Sequence, residues 1–183
     1  MICVSVYSNL AAGAAEDAAA YIEAVLELLG DADPIPVLES TVDWCRERTE
    51  GHTREQLAEP ESEDMWSIAG VLQHLADSEL VWGYRLRKVL VEDRPQLTGY
   101  DQDRWASRLG YADADRAGAL LVFGTLRAAN LSLLSGASRT DLDRVGMHSE
   151  RGEESVRRMI RLYAGHDLVH RRQLQRLCER FNP

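Results

Sequence analysis

Cysteine is scarce. Cys3, Cys45 and Cys178 are odd in number, far apart and in no C-x-x-C spacing. Such a set builds neither a disulfide framework nor a thiolate zinc site, so free thiols in a reducing compartment are expected. Positive charge is also short: 21 Lys and Arg against 30 Asp and Glu leave a formal net charge of −9. Nucleic-acid binding asks for a basic face, so no nucleic-acid partner is expected. Arg157, Arg158, Arg161, Arg171, Arg172, Arg176 and Arg180 do gather near the C-terminus. They fall mostly off the apolar positions there and read as a solvated helix flank. No run approaches the ~18 apolar residues of a membrane span. The start Met-Ile-Cys-Val-Ser-Val-Tyr has no basic n-region and no long apolar core, so neither a signal peptide nor a membrane partner is expected. A cytoplasmic location follows as an expectation. No segment shows convincing strand alternation, an internal repeat or low complexity.

What the chain does contain is helical periodicity. An alanine-rich stretch over residues 11–29 carries Tyr21, Val25, Leu28 and Leu29 on one side, and Gly30 to Pro36 break it. A second helix is expected over about 36–50, with Val37, Leu38, Thr41, Val42 and Cys45 inward and Gly51 as its stop. Ser67 has the signature of an N-cap, with Trp66 before it and Val71 four residues on, and opens a third helix to about Leu90. A short turn holds Trp105. A further helix over about 113–135 carries Leu120, Leu121, Phe123, Leu131 and Leu134, and a last one runs over about 153–180. A chain of this length buries one sizeable core, and four or five such helices predict an all-α bundle. Residues 1–30 read as an N-terminal helical extension packing on the bundle, and residues 31–183 as the bundle domain itself.

The chemistry-bearing pattern lies in the last helix. Val156, Met159, Tyr163, His166, His170, Leu174, Leu177 and Phe181 follow one another at spacings of three and four, the rhythm of one core-facing stripe. His166 and His170 thus occupy positions where apolar side chains are expected. Buried imidazoles stay neutral, and at i and i+4 they can share one metal ion or, on the other reading, pack as hydrogen-bonded core residues. A metal between bundle helices draws on facing helices. His74, at the edge of the inward stripe of the Ser67 helix, is the candidate third ligand of a catalytic zinc-type site or, taken alone, a core or capping residue. His52, in a polar loop, is a poor candidate. The segment His166-Asp167-Leu168-Val169-His170 also echoes H-E-x-x-H with a shorter acid. The strands of a metalloprotease are absent, which weighs against that reading.

Trp66-Ser67-Ile68, His74-Leu75-Ala76-Asp77-Ser78-Glu79, Arg85, Pro95, Asp101, Trp105 and Tyr111 resemble the first half of a DinB/YfiT-like domain. Arg127, Gly146-Met147-His148 with Gly152, and His166-Asp167-Leu168-Val169-His170-Arg171-Arg172-Gln173 resemble its second half. The resemblance covers about residues 35–180. It implies a four-helix bundle of up-down-down-up topology, often a homodimer. It also implies a divalent metal, zinc or nickel, on three histidines that map onto His74, His166 and His170. Related members include transferases and isomerases that use low-molecular-weight thiols such as bacillithiol or mycothiol, and others described as metal-dependent hydrolases.

The expected function is a metal-dependent enzyme that activates a low-molecular-weight thiol or water against a small electrophilic substrate. The competing expectation is a non-enzymatic, dimeric metal-binding or stress-response bundle with a structural or vestigial metal. His148, before the last helix, is the candidate acid/base or substrate contact, or else a surface loop residue. Asp77, one turn from His74, is the candidate acceptor that orients a ligand, or else a solvated carboxylate. Asp101 reads as the cap of the Trp105 turn.

Overall fold

The computed structural model describes residues 15–62 and 65–181. In chain order the elements are α1 (Ala15–Leu29), α2 (Pro34–Arg48), α3 (Arg54–Ala58), α4 (Ile68–Val91), β1 (Gln96–Leu97), α5 (Gln102–Arg108), a 3-10 turn (Tyr111–Asp113), α6 (Arg116–Ser135), α7 (Arg139–Leu142), β2 (Val145–His148), β3 (Gly152–Ser155) and α8 (Val156–Glu179). Residues 1–14, which include Cys3 and the start of the expected first helix, lie outside the described residues.

Capping side chains set where the helices begin. Asp33, Ser67, Asp115 and Ser155 each accept a hydrogen bond from a backbone N–H of the first turn, which would otherwise have no partner. The Asp33 cap and a proline in the first turn start α2 at Pro34, two residues before the expected boundary. Asp101 caps α5 through Arg104 N, as the sequence suggests.

Contacts between side chains fix the helix directions. Arg116 reaches the Arg46 carbonyl while Arg127 reaches the Leu38 carbonyl, so α2 and α6 are antiparallel. Asn130 lies beside Gly83 and Arg127 beside Glu79, so α4 and α6 run parallel. His74 meets His166 while Tyr163 donates to the Ser78 carbonyl, so α4 and α8 are antiparallel. The result is the up-down-down-up bundle of α2, α4, α6 and α8. Helix α1 packs on α8 from outside this set. Gly165 permits that approach: a Cβ there would lie 2.4 Å from the Val25 carbonyl oxygen.

Two apolar clusters fill the ends of the bundle. One gathers Val42, Cys45, Leu72, Leu75, Phe123 and Leu174, and the other Leu38, Trp82, Leu86, Val89, Leu134 and Met159. Between them lies a polar layer of His74, Glu79, Arg127, Asn130, Asp167 and His170, all buried. Burial pushes the Cys45 thiol up to about 12 and the Cys178 thiol up to about 11, and both are free, inert members of the core.

Three expectations need correction. A small sheet exists, with β1 parallel to β2 and β2 antiparallel to β3. Its strands of two and four residues are too short to display alternation in sequence. The hairpin also delays the last helix to Val156. Second, of the apolar residues grouped on α6 in the sequence, Leu121 is 70% exposed while Leu120, Phe123 and Leu134 are buried. Third, α6 is long and apolar enough, by length and composition alone, to cross a membrane. Core helices of bundles pass the same test, and here the helix carries buried Arg127 and Asn130 bonded to α4 and α8.

Replacing Gly165 with valine forces α1 away from α8. We expect a loss of about 1–3 kcal/mol in urea unfolding, with faster proteolysis confined to the α1 segment.

Candidate metal centre and adjoining cavity

His74 projects from α4 and His166 and His170 from α8, where the two helices face each other. One ring nitrogen from each lies within 4.8 Å of the others. His74 Nε2 and His166 Nε2 are 3.0 Å apart, and the ring centroids are separated by 4.5–5.2 Å. Trp66, one residue before the α4 cap, closes one side, with its ring centroid 4.6 Å from that of His74 and nearly parallel to His170. Gln173, one turn along α8, places Oε1 2.9 Å from His170 Nδ1. That contact makes His170 Nδ1 the protonated nitrogen and leaves Nε2 as a lone pair.

Desolvation dominates the electrostatics. Burial, then the neighbouring His170 and His166, hold His74 well below the ordinary imidazole range. Burial, then His170 and Arg127, do the same to His166. Burial lowers His170 to about 4, opposed by Gln173 and Asp167. Three neutral imidazoles are therefore collected where no carboxylate touches them. That donor set suits a divalent cation of the zinc or nickel type. The Nδ1 atoms of His74 and His166 are buried without a hydrogen-bond partner, so two of the three rings have unspent donor or acceptor capacity.

The apolar core beside this cluster is held by a second, charged set. Arg127 donates from both terminal nitrogens to Asp167, at 2.7 and 3.1 Å, and from Nε to Glu79 at 3.0 Å. It also donates to the Leu38 carbonyl at 2.6 Å. Asn130 donates to the other Glu79 oxygen at 2.8 Å. Burial works against the Arg127 charge, but Asp167 and Glu79 hold its pKa above the ordinary value. Asp167 sits between the two histidines in sequence, yet it faces Arg127. Committed there, it is not free to act as the acid of an H-E-x-x-H site.

A cavity of about 100 Å³ adjoins His166. His166, the partly exposed member of the trio, lines it together with Ser78, Arg85, Tyr100 and His148. Ser78 Oγ is 3.2 Å from His74 Nε2 and 3.1 Å from the Tyr100 hydroxyl, forming a hydroxyl chain from the cluster to the cavity wall. His148 comes from the last residue of β2, and Gly146 lets that strand lie on α4. A Cβ at Gly146 would stand 2.7 Å from Leu97 and 2.8 Å from Val89. His148 is thus a buried wall of the cavity rather than a surface loop residue. Its Nδ1 accepts from Glu150 N at 3.2 Å, and burial, then Arg151 and Arg85, lower its pKa to about 3.

The structure gathers His74, His166 and His170 as the sequence predicts, with His148 across the same cavity. Asp77 departs from expectation. It accepts from Gln73 at 3.2 Å and from the Tyr111 hydroxyl at 2.6 Å, and anchors the 3-10 turn instead of orienting an imidazole. His52 packs edge-on against Phe181, away from the cluster. The arginine flank of α8 is largely docked, with Arg157 on Asp143, Arg176 on Glu61 and Arg180 on Glu59. Sequence reasoning missed the roles of Gln173, Ser78, Tyr100 and the Arg127 set. An arginine among Leu120, Phe123 and Leu131 on a core helix was the available signal for the last of these.

Residues 38–174 match the DinB superfamily. The chain belongs to that superfamily. A protein of Oceanobacillus iheyensis named "Putative metal-dependent hydrolase" is 32% identical over 115 residues, 63% of this chain and 66% of that protein. One of Bacillus mycoides with the same description is 27% identical over 129 residues, 70% of this chain and 74% of that protein. Among solved structures, YfiT from Bacillus subtilis superposes with a TM-score of 0.76 at 25% identity, covering 81% of this chain and 86% of that one. It is described as a probable metal-dependent hydrolase with an unusual four-helix bundle topology. Helix α1 lies outside the matched family segment.

Two predictions follow from these electrostatics. Arg127→Met leaves Glu79 and Asp167 buried without a counter-charge, and is expected to cost about 3–5 kcal/mol in urea unfolding. The second concerns acid. His148 is held near 3 and His170 near 4, with His74 and His166 also lowered, against 6.5 for the free group. The unfolded chain then binds more protons than the folded one from about pH 6.5 downward. In chelator-treated protein the urea midpoint should fall steadily between about pH 7 and pH 5, and a flat midpoint would contradict neutral buried imidazoles.

Proposed function

We propose that the chain is a divalent-metal-dependent enzyme, with His74, His166 and His170 as ligands, acting on a small electrophilic molecule with water or a low-molecular-weight thiol as nucleophile. The observation that carries the reading is a cluster of three neutral imidazoles of which one, His166, lines a cavity. A structural site is closed by protein ligands, whereas a catalytic one keeps a position accessible. His166 borders the cavity, so the cluster presents one of its rings to it. The names of the relatives favour hydrolysis as the first reaction to test.

A divalent cation on this trio supplies Lewis acidity to a water or thiol nucleophile and to the group it attacks. The residues of the chain do the rest. Gln173 fixes the His170 tautomer so that a lone pair faces its partners. Trp66 packs against the rings of His74 and His170 and shields that side of the cluster. Ser78 and Tyr100 offer a hydroxyl path for a proton leaving the cluster, and burial keeps the Tyr100 hydroxyl protonated. His148 remains neutral and serves as a hydrogen-bond donor to substrate rather than as a general base. Zinc and nickel are the metals in view. A homodimer belongs to the same reading, supported by exposed Leu121 and Val122 on α6, and sedimentation of the purified chain tests it.

Metal analysis is the decisive experiment. The purified chain is expected to take up about one zinc or nickel ion, and His170→Ala to lose it while keeping the helical spectrum and cooperative unfolding. A wild-type chain that takes up neither metal overturns the proposal. With metal loaded, ester and amide hydrolysis compared with thiol addition to a generic electrophile separates the two nucleophiles.

A further inference from the structure

Arg85 stands in the cavity wall, 8% exposed, and forms no ion pair among the described residues. Its terminal Nη2 donates to the Thr98 carbonyl, while Nε is buried with no acceptor. A buried guanidinium without a carboxylate is costly, and structures normally supply the missing partner. The nearby acid is already committed: Glu154, 1% exposed, is held at both oxygens by Arg151, at 2.6 and 2.9 Å. Glu150 also lines the cavity, but it is exposed and forms no ion pair among the described residues.

A second unpaired donor lines the same cavity. Because His148 Nδ1 accepts from the Glu150 N–H, the neutral ring carries its proton on Nε2. That nitrogen is also buried without a partner. Two orphaned N–H donors, one of them cationic, thus share a cavity with His166. The same cavity is also lined by the apolar side chains of Ile22 and Val25 of α1 and by Leu162.

We infer that Arg85 and His148 form a carboxylate subsite, and that the substrate is a small organic acid whose apolar body lies against α1. The inference rests on reading the cavity as the substrate site. Among the described residues Arg85 is a lining cation with no carboxylate paired to it, which matches one carboxylate. A phosphate dianion would bring a second negative charge toward Glu150 and Glu154, and the other lining cation, Arg151, is already held by Glu154. A carboxylate seated on Arg85 also orients the rest of the molecule toward His166, so the subsite positions substrate for the reaction. Helix α1, outside the family-matched segment, then sets which apolar groups fit.

Benzoate and benzamide, alike in shape and different in charge, test the subsite. Binding is measured by ligand-observed NMR on the full chain, both zinc-loaded and chelator-treated. Wild type is expected to prefer benzoate by about tenfold in both states, Arg85→Gln to bring the two ligands within about twofold, and Arg85→Lys to keep part of the preference. His148→Phe, which removes only the second donor, should weaken benzoate several-fold and leave benzamide nearly unchanged. Equal binding of the two ligands by wild type overturns the proposal even if Arg85→Gln fails to fold. A preference that survives Arg85→Gln overturns it too. So does one that disappears with the zinc, because the metal is then the carboxylate's partner. Zinc content measured on the same samples separates the outcomes. Zinc uptake without a benzoate preference removes the subsite alone, and a preference without zinc uptake removes the metal reading alone.

Discussion

Arg127 ties the bundle together at its middle. Its guanidinium bonds Asp167 of α8 and Glu79 of α4, reaches the Leu38 carbonyl of α2, and stacks 4.8 Å from the Phe123 ring of its own helix. One charged group thereby engages all four bundle helices. Its desolvation is offset only when both carboxylates are in place, so it tolerates one mutual arrangement of α4 and α8. A sliding or rotated packing would leave at least one buried charge unpaired. Apolar clusters above and below could accept several registers; this layer does not.

The imidazole trio depends on that register. His74 stands five residues before Glu79, and His166 and His170 flank Asp167, so anchoring Glu79 and Asp167 to one arginine also brings the three rings together. Among the described residues Gln173 backs His170, while the Nδ1 atoms of His74 and His166 have no hydrogen-bond partner. The charged set can thus be understood as the rigid support, and the neutral rings as the adaptable face turned toward the cavity. Neutrality is maintained by the same burial that makes the arginine set expensive to disturb.

The cavity draws on parts of the chain that are distant in sequence. The β2–β3 hairpin delivers His148, the α4–α5 connection delivers Tyr100, α4 delivers Arg85, and α1 closes the apolar side. Two of these approaches need a local steric permission: Gly146 under the strand and Gly165 under α1. This is why the cavity's composition, which combines unpaired donors with aliphatic side chains, could not be anticipated from any one segment.

Much was legible in the sequence because it is written in local periodicity. The apolar stripes of the bundle helices, the Ser67 cap, and the place of His166 and His170 among apolar residues follow from 3.6-residue geometry and from the cost of burying charge. The sequence motifs also point to the superfamily and to His74 as the third ring. Other features were invisible because they depend on what stands opposite. Asp77 and Asp167 are both acids beside a histidine, yet one anchors Tyr111 and the other pairs with Arg127. Strands of two and four residues leave no alternation to read. So the sequence by itself determined the helices and the identity of the candidate ligands, through short-range spacing. Tertiary structure decided the partner of each polar group and the existence of the cavity, because hydrogen-bond and ion-pair satisfaction inside a core is set by side chains that meet only when the helices pack.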